Sequence, residues 1–200
     1  MATYNFPSIT PTSQTFELIT NSRQFQSPVS GAVQTLSRKG SFWKTRMTFS
    51  NLRGNDRAEM QAFIAKMDGQ THRMRLEDYG RLRYGAATSP QSVLVNGAGQ
   101  TGSSISLDGA TNSVTNFFKA GDYMSFNNEL HMVTADASSN SSGQLTVSIS
   151  PPIRKPTTND DAVQIFAPLG VFMMINTPRW STESTYISSI TIEAVEDVLA

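Results

Sequence analysis

Residues 118–133 read FKAGDYMSFNNELHMV, two short runs of alternating apolar residues on either side of Asn127-Asn128. An Asn-Asn pair suits a two-residue hairpin loop, because asparagine tolerates a positive φ better than most residues. The alternation is typical of β-strands, in which successive side chains point to opposite faces. The stretch therefore predicts a β-hairpin, and it carries no group with an evident catalytic role.

Further strand-like runs surround this hairpin, where the composition shifts to Ser, Gly, Asn and Thr. Turn-forming residues separate these runs at intervals of about 8–12 residues, as in small sandwiches and barrels. The runs are SVLVN, SSISLDG, DYMSF, LHMVTA, QLTVSISP and AVQIFAP. ATSPQ, residues 87–91, has the composition of a linker, and Pro151-Pro152 is expected to end a strand. We therefore predict that residues 86–167 form a small all-β barrel inserted between two halves of another domain.

A helix is predicted in NDRAEMQAFIAKMDG, residues 55–69. Its apolar residues recur at i, i+3, i+4 and i+7, which places them on one helix face. They are Met60, Phe63, Ile64 and Met67. Asn55 or Asp56 is positioned to cap the start of the helix, and Gly69 to end it. We expect this helix to cover one face of a sheet.

Alternating strands lie on both sides of this helix in the sequence. They are SFWKTRMTFS (residues 41–50), THRMRLED (71–78) and STYISSITIEAVEDV (184–198). In the first of these strands one face carries Trp43, Thr45, Met47 and Phe49. The fold class predicted is mainly β: a discontinuous β-sandwich or split barrel with one α-helix, built from residues 1–85 and 168–200.

The charge balance of the 200-residue chain is neutral, with 16 basic and 16 acidic residues. Low net charge removes the repulsion that keeps copies apart, so it favours self-association over an extended DNA-binding face. The chain has no cysteine, which excludes disulfides, thiolate catalysis and cysteine-based zinc sites. We expect no signal peptide and no membrane span, because there is neither a basic start followed by an apolar run nor a stretch of about 18 apolar residues.

The sequence contains few motifs that indicate catalysis or cofactor binding. GAGQTG, residues 97–102, matches the dinucleotide pattern GxGxxG, but the strand-like SSISLDG follows it where such a site needs a helix. His72 and His131 each lie alone on a predicted strand, without a second ligand at metal-binding spacing. The sequence contains no GxSxG and no P-loop. We therefore expect no catalytic residues, no metal site, no cofactor and no enzymatic activity.

An arginine cluster is the most prominent charged feature; it comprises Arg73, Arg75, Arg81 and Arg83. Arg73 and Arg75 share one face of a predicted strand. Such arginines can contact phosphates or pair with carboxylates of a neighbouring subunit. They can equally form a solvated strand face, and the sequence leaves both interpretations open.

Residues 117–155 resemble a module that recurs in tail proteins of long-tailed phages. The pattern is a KAGD-like turn (residues 119–122), an LHMV-like strand (130–133), and then GQLTVSI (143–149) and PPIR (151–154). The flanks, with SRKGSFWKTRMTFSNL (37–52), one helix and the C-terminal strands, resemble the ring-forming domain of distal tail proteins of siphophages. Chi-like phages and gene transfer agents show this type. The resemblance covers nearly the whole chain and is more specific in the insert than in the flanks.

What the resemblance implies is a structural virion protein at the tail tip, made in the host cytoplasm. Distal tail proteins form a hexameric ring that joins the end of the tail tube to the tail tip or baseplate hub. The expected partners are therefore further copies of the chain, the tube protein and the tip or hub proteins, with no membrane. Genomic DNA is expected to pass through the lumen without specific binding. The insert is expected to be OB-like and to project outward.

Two sets of residues are candidates for contacts. For the ring interface we predict Trp43, Arg73, Arg75 and Trp180, because Trp and Arg anchor interfaces, although both tryptophans can equally be core residues. On the insert surface the candidates are Tyr123, Phe126 and His131, since OB-like barrels bind oligonucleotides or sugars with such side chains. The alternative functions are a carbohydrate-binding accessory tail module, or another tail tube or tail-completion subunit.

Overall fold

The computed structural model of the protein describes residues 1–37, 40–81, 83–87, 91–183 and 186–199. Within these residues the chain is mainly β with one helix, as predicted. In chain order the elements are β1 Thr3–Asn5, β2 Ser13–Ile19, β3 Ser22–Gln26, β4 Val33–Ser37, β5 Phe42–Arg53, α1 Gly54–Met67, β6 Arg73–Leu76, β7 Leu94–Val95, β8 Gly102–Asp108, β9 Tyr123–Phe126, β10 Glu129–Val133, β11 Leu145–Ile153, β12 Gly170–Met174, β13 Trp180–Glu183 and β14 Tyr186–Glu196. Residues 88–90 of the predicted linker lie outside the described residues.

Strands from both ends of the chain build the larger sheet. Its order is β1-β6-β12-β14-β5-β2, and β13 pairs with β14. β1 and β6 are parallel, and the other neighbours are antiparallel. β12 lies between β6 and β14, so C-terminal strands complete a sheet that N-terminal strands begin. The sheet takes all its strands from residues 1–85 and 168–200, the ranges predicted for the flanking domain.

Helix α1 packs on one face of this sheet through the predicted apolar stripe. Met60, Phe63 and Met67 are buried in a core shared with β5, β6 and β14. The ring of Phe63 meets that of Phe6 edge to face, with 5.0 Å between centroids. The predicted N-cap is wrong, because α1 begins at Gly54 and its N-cap is Arg53, which makes no side-chain capping bond. At the other end Asp68, not Gly69, is the left-handed cap residue.

The predicted alternation of β5 is confirmed. Trp43, Thr45, Met47 and Phe49 are all buried on the side of the core. The residues between them are partly or fully exposed on the opposite face of the sheet. In the neighbouring strand β14, Ile190, Ile192 and Ala194 are buried on the same core side.

The second sheet has the order β7-β8-β11-β10-β9 and lies within residues 94–153. Its two edge strands are joined by residues 162–168, AVQIFAP, which the sequence predicted as a sixth strand. Val163 N–H donates to Val93 O at 3.0 Å, and Ser125 and Gln164 exchange two backbone hydrogen bonds of 3.0 and 2.8 Å. The segment therefore bridges β7 to β9, so that the sheet curls round a separate apolar core drawn from residues 87–165.

Pro151-Pro152 was expected to end a strand, and this prediction is wrong. β11 continues through both prolines to Ile153. The pairing of β11 with β8 shifts register between Ser148 and Ile153, so the chain passes the prolines as an irregularity and then resumes pairing.

The β9–β10 hairpin has the predicted turn. Phe126 pairs with Glu129, and Asn127 and Asn128 have φ values of 50° and 64°. Positive φ at both central residues is the type I′ geometry that two-residue hairpins favour.

Both faces of this hairpin are buried. One face, with Tyr123 and Leu130, belongs to the core of the larger sheet. The other face, with Met124 and Phe126, belongs to the core of the second sheet. The hairpin is thus a wall shared by two cores.

A second hairpin, β3–β4, has no such cover. β3 and β4 pair only with each other among the described strands, and every residue of β3 is exposed. The exposed apolar side chains include Phe25, Val29, Val33 and Leu36, of which Val29 is 95% exposed. A two-stranded hairpin alone in water is at best marginally stable.

The asparagine turn generates a test of the hairpin geometry. Asn128→Val is expected to lower the free energy of unfolding by about 1–2 kcal/mol, because a β-branched residue is strained at positive φ. Asn128→Gly, the matched control, relieves that strain and should be clearly more stable than the valine variant. Urea unfolding of both variants measures the difference, and equal stabilities would contradict the assigned turn.

Candidate functional site

The junction between the two sheets is centred on Glu196, a buried carboxylate at the end of β14. Arg154, from the end of β11, donates from Nη1 to Oε2 at 3.0 Å and from Nη2 to Oε1 at 2.6 Å. Glu196 also accepts the backbone N–H groups of Trp43 at 3.1 Å and Leu130 at 3.0 Å. One carboxylate therefore ties β5, β10 and β11 together.

A second carboxylate, Glu129, lies on the other side of Arg154. It accepts the backbone N–H groups of Arg154 and Lys155, each at 3.1 Å. His131 Nε2 lies 3.4 Å from Glu129 Oε2, and His131 Nδ1 lies 2.8 Å from Pro151 O. A carbonyl oxygen only accepts, so Nδ1 is the donor there. The other ring nitrogen, Nε2, faces Glu129 Oε2 at a distance that is long for a hydrogen bond.

The charges around Glu129 decide its protonation. Burial raises the pKa of Glu129, but the contact with His131 and the charge of Arg154 outweigh burial and hold that pKa below its ordinary value. Because the folded-state pKa is depressed, this group stabilises the fold above the unfolded pKa, and the contribution is lost as the pH falls through the folded value.

Arg81 and Arg83 lie in the segment that leads from β6 to the second sheet, and both bind groups of the second part of the chain. Arg81 donates to Gly121 O at 3.1 Å and to Asp122 Oδ1 at 3.3 Å. Arg83 donates to Ile165 O at 3.1 Å and to Phe117 O at 2.8 Å. Burial lowers the pKa of both arginines. These two members of the cluster are thus engaged within the chain rather than presented to phosphates or a neighbour.

Asp122 is a fully buried hydrogen-bond acceptor that holds the same segment. Its carboxylate receives the backbone N–H groups of Tyr84 at 2.8 Å, Gly85 at 3.0 Å and Lys119 at 3.0 Å. The backbone approaches so closely at Gly85 that a Cβ there would lie 2.3 Å from Phe117 O. A glycine is therefore required where the chain enters the second sheet.

Of the four predicted ring-interface residues, Trp43 is the one for which the prediction is wrong. It is 3% exposed and packs against Phe16 and Tyr123, with ring centroids 5.1 and 5.4 Å away. Its indole N–H donates to Leu130 O at 2.8 Å, so Trp43 is a core residue of the junction.

The other three predicted interface residues differ in their availability. Arg73 is already paired with Asp197, with 2.5 Å between Nε and Oδ2. Burial raises the pKa of Asp197, but the hydrogen bond and charge of Arg73, together with the N–H of Leu199 and the charge of Lys155, outweigh burial and hold that pKa below its ordinary value. Arg75 is half-buried, and its guanidinium has no hydrogen-bond or ion-pair partner among the described residues. Trp180, in β13, is 39% exposed. Arg75 and Trp180 stay predicted contact residues.

The predicted insert surface is wrong. Tyr123, Phe126 and His131 are 4%, 3% and 0% exposed, respectively. The rings of Phe126 and His131 stack with centroids 4.6 Å apart inside the second core. Both faces of this hairpin are covered by the two cores. These side chains are therefore not accessible to a ligand.

The exposed face of the β3–β4 hairpin is a surface that the sequence prediction missed. Phe25 is directly opposite Gln34, and Arg23 is directly opposite Leu36, so Phe25 and Leu36 are diagonal neighbours on one face. We call this set, Arg23, Phe25, Gln34 and Leu36, the hairpin face. The alternation in SRQFQ and VQTLS around SPVSG was the available signal.

On the face of the larger sheet opposite its buried core, two ion pairs join β5 to its neighbours β2 and β14. Lys44 Nζ lies 3.6 Å from Glu17 Oε1, and Arg46 Nε lies 3.6 Å from Glu193 Oε1. We call the surface that these four residues form the paired-charge face. It presents polar groups of both signs without an excess of either.

The sequence motifs that resemble ligand sites have other local structures. At GAGQTG the strand β8 begins at Gly102, so the helix that a dinucleotide site needs is not present. His72 is half-buried and accepts the N–H of Ala2 at 3.2 Å. Among the described residues no group of three or more His, Asp or Glu side chains is arranged to hold a metal ion. In the same part of the chain no helix is long and apolar enough to cross a membrane.

Comparison with known proteins adds no assignment. No protein-family model matches the sequence, and no curated protein matches it significantly.

The Glu129 network generates a test with a defined pH dependence. Glu129→Gln is expected to lower the free energy of unfolding at pH 7 by about 3–5 kcal/mol, because it leaves the buried charge of Arg154 with one partner fewer. At pH 3 the deficit should shrink, because this pH lies below the ordinary pKa of a glutamate, so the unfolded wild-type chain takes up a proton more readily than the folded chain does. Urea unfolding at both pH values checks this, and a deficit of equal size at pH 3 would show that the charge of Glu129 is not what stabilises the junction.

Proposed function

We propose that the protein is a structural component of a phage tail, in which six copies form a ring between the end of the tail tube and the tail tip or baseplate hub. The resemblance of residues 117–155 and of the flanking strands to distal tail proteins supports this proposal. In this proposal the protein acts by shape and contact, without catalysis, and is located in the virion after synthesis in the host cytoplasm.

The observation that carries the proposal is the hairpin face. Phe25 is 55% exposed and Leu36 is 43% exposed, on a hairpin that pairs with no other described strand. Exposed apolar groups clustered on one surface are typical of sites that a partner covers. The protein's low net charge also favours association between copies.

A ring requires two different surfaces on each copy. Closed cyclic assemblies of more than two subunits use head-to-tail interfaces, in which one patch meets a different patch on the next copy. The hairpin face provides one such patch in our proposal. Trp180 and Arg75, on other parts of the molecule, are the candidates for the receiving side.

The paired-charge face suits the wall of a channel for DNA. Binding to DNA is driven mainly by Lys and Arg that neutralise phosphates. Lys44 and Arg46 are each already beside a carboxylate, so a phosphate approaching either cation also meets an anion. DNA can therefore move past such a wall without being retained, which is what passage through a tail lumen demands.

The two alternative functions, a carbohydrate-binding module and a tube or tail-completion subunit, require different surfaces. A carbohydrate-binding module needs accessible aromatic or polar platforms, and the predicted platform of Tyr123, Phe126 and His131 is buried. A tube or tail-completion subunit uses the same kind of association as a ring protein. Tube subunits stack into long polymers, whereas the ring we propose closes on itself.

The hairpin face generates the test of this function. Phe25→Ser combined with Leu36→Ser is expected to abolish rings seen by negative-stain electron microscopy and to yield monomers in sedimentation velocity. Both side chains are largely exposed, so the free energy of unfolding should change by no more than about 0.5–1 kcal/mol.

A matched control is Leu199→Ser, which removes another exposed apolar side chain far along the chain; Leu199 is 87% exposed. This variant should assemble as the wild type does. Rings that persist in the Phe25/Leu36 double variant would remove the observation on which the proposed function rests.

A further inference from the structure

We propose that a cavity beside Arg75 is a binding pocket for an oxoanion, meaning a carboxylate or a phosphate group. The cavity has a volume of about 220 Å³ and lies between β6, the β9–β10 turn and the segment that bridges the second sheet. The side chains that define its chemistry are those of Arg75, Asn127, Asn128 and Gln164.

Arg75 supplies the charge. Arg73, Arg81 and Arg83, the other members of its cluster, all donate to carboxylates or carbonyl oxygens of the chain. Arg75 makes no such contact within the described part of the chain, although it is half-buried. A guanidinium has five N–H donors and no acceptor, so a half-buried one lacks part of its hydration and is stabilised by an incoming acceptor.

The amide side chains supply further donors. Those of Asn127, Asn128 and Gln164 form no hydrogen bond among the described residues. Their backbones are firmly placed, because both asparagines lie in the hairpin turn and Gln164 exchanges two backbone hydrogen bonds with Ser125. Each carboxamide has two N–H donors that can reach into the cavity.

Charge and size select the ligand. The lining includes one cation and no carboxylate, so the cavity favours an anion over a cation. Its volume is below the roughly 300–1,000 Å³ of pockets for drug-sized ligands, which restricts it to one small group. The planar fork of Arg75 matches the two oxygens of a carboxylate or phosphate.

An oxoanion of this kind has two sources. One is a free small molecule, and the other is an acidic side chain of a second copy of this chain. The pocket is present in the single chain, so it does not depend on the proposed ring.

The test uses inorganic phosphate as the probe, titrated calorimetrically into dilute wild-type protein at ionic strength held constant with sodium chloride. We expect saturable binding at one site. Arg75→Gln should weaken it at least about tenfold, and Arg75→Lys should weaken it less, because lysine keeps the charge and loses the fork. Gln164→Leu, which changes an exposed side chain and keeps the backbone bonds, should also weaken it.

Arg57→Gln is the matched control. Arg57 is another half-buried arginine without a partner among the described residues, but it lies on α1 and does not line the cavity. This variant should bind phosphate as the wild type does. Phosphate binding that survives Arg75→Gln, or that falls equally in Arg57→Gln, would overturn the assignment.

Sedimentation velocity without phosphate distinguishes the sources. If a second copy supplies the carboxylate, Arg75→Gln associates less than the wild type, and phosphate disperses wild-type assemblies. If the ligand is a free oxoanion, the two proteins sediment alike while the phosphate titration still depends on Arg75. Both results support the pocket. No saturable phosphate binding, together with unchanged association of Arg75→Gln, would show that the cavity is not an oxoanion site.

Discussion

The buried ion pair of Arg154 and Glu196 determines how the two sheets meet, and the rest of the structure depends on it. The two side chains are 7% and 0% exposed. Removing two charges from water is costly, and good geometry together with further hydrogen bonds to the pair offsets that cost. Here the carboxylate also receives N–H groups of Trp43 and Leu130. Since these partners come from different strands, the pair forms fully only when both sheets are correctly placed.

The β9–β10 hairpin also joins the two sheets, through apolar contacts. It contributes Tyr123 and Leu130 to one core and Met124 and Phe126 to the other. The stretch of residues 118–133 therefore separates two cores and does not form a surface. The surfaces that we propose for partners lie elsewhere, on the β3–β4 hairpin, on the open face of the larger sheet and around Arg75.

Much of the fold could be predicted because its signals are local. The alternation in β5, the stripe on α1 and the Asn-Asn turn each depend on a few neighbouring residues and on backbone geometry. The functional residues depend on distant partners, and there the prediction failed. Alternation shows that Trp43 and Lys44 point to opposite faces, but not which face is covered. It also gave no sign that the strand of Tyr123 and the strand of His131 are covered on both faces. The role of Arg81 became visible only with Asp122 beside it.

The central claim is that copies of this chain close into a ring of six. The most direct measurement is negative-stain electron microscopy of the purified wild-type protein at high concentration, with rotational symmetry determined from class averages of end-on views. The account predicts closed, single rings with sixfold symmetry. Long stacked tubes, or monomers that stay single even when mixed with the tail tube and tip proteins, would contradict it.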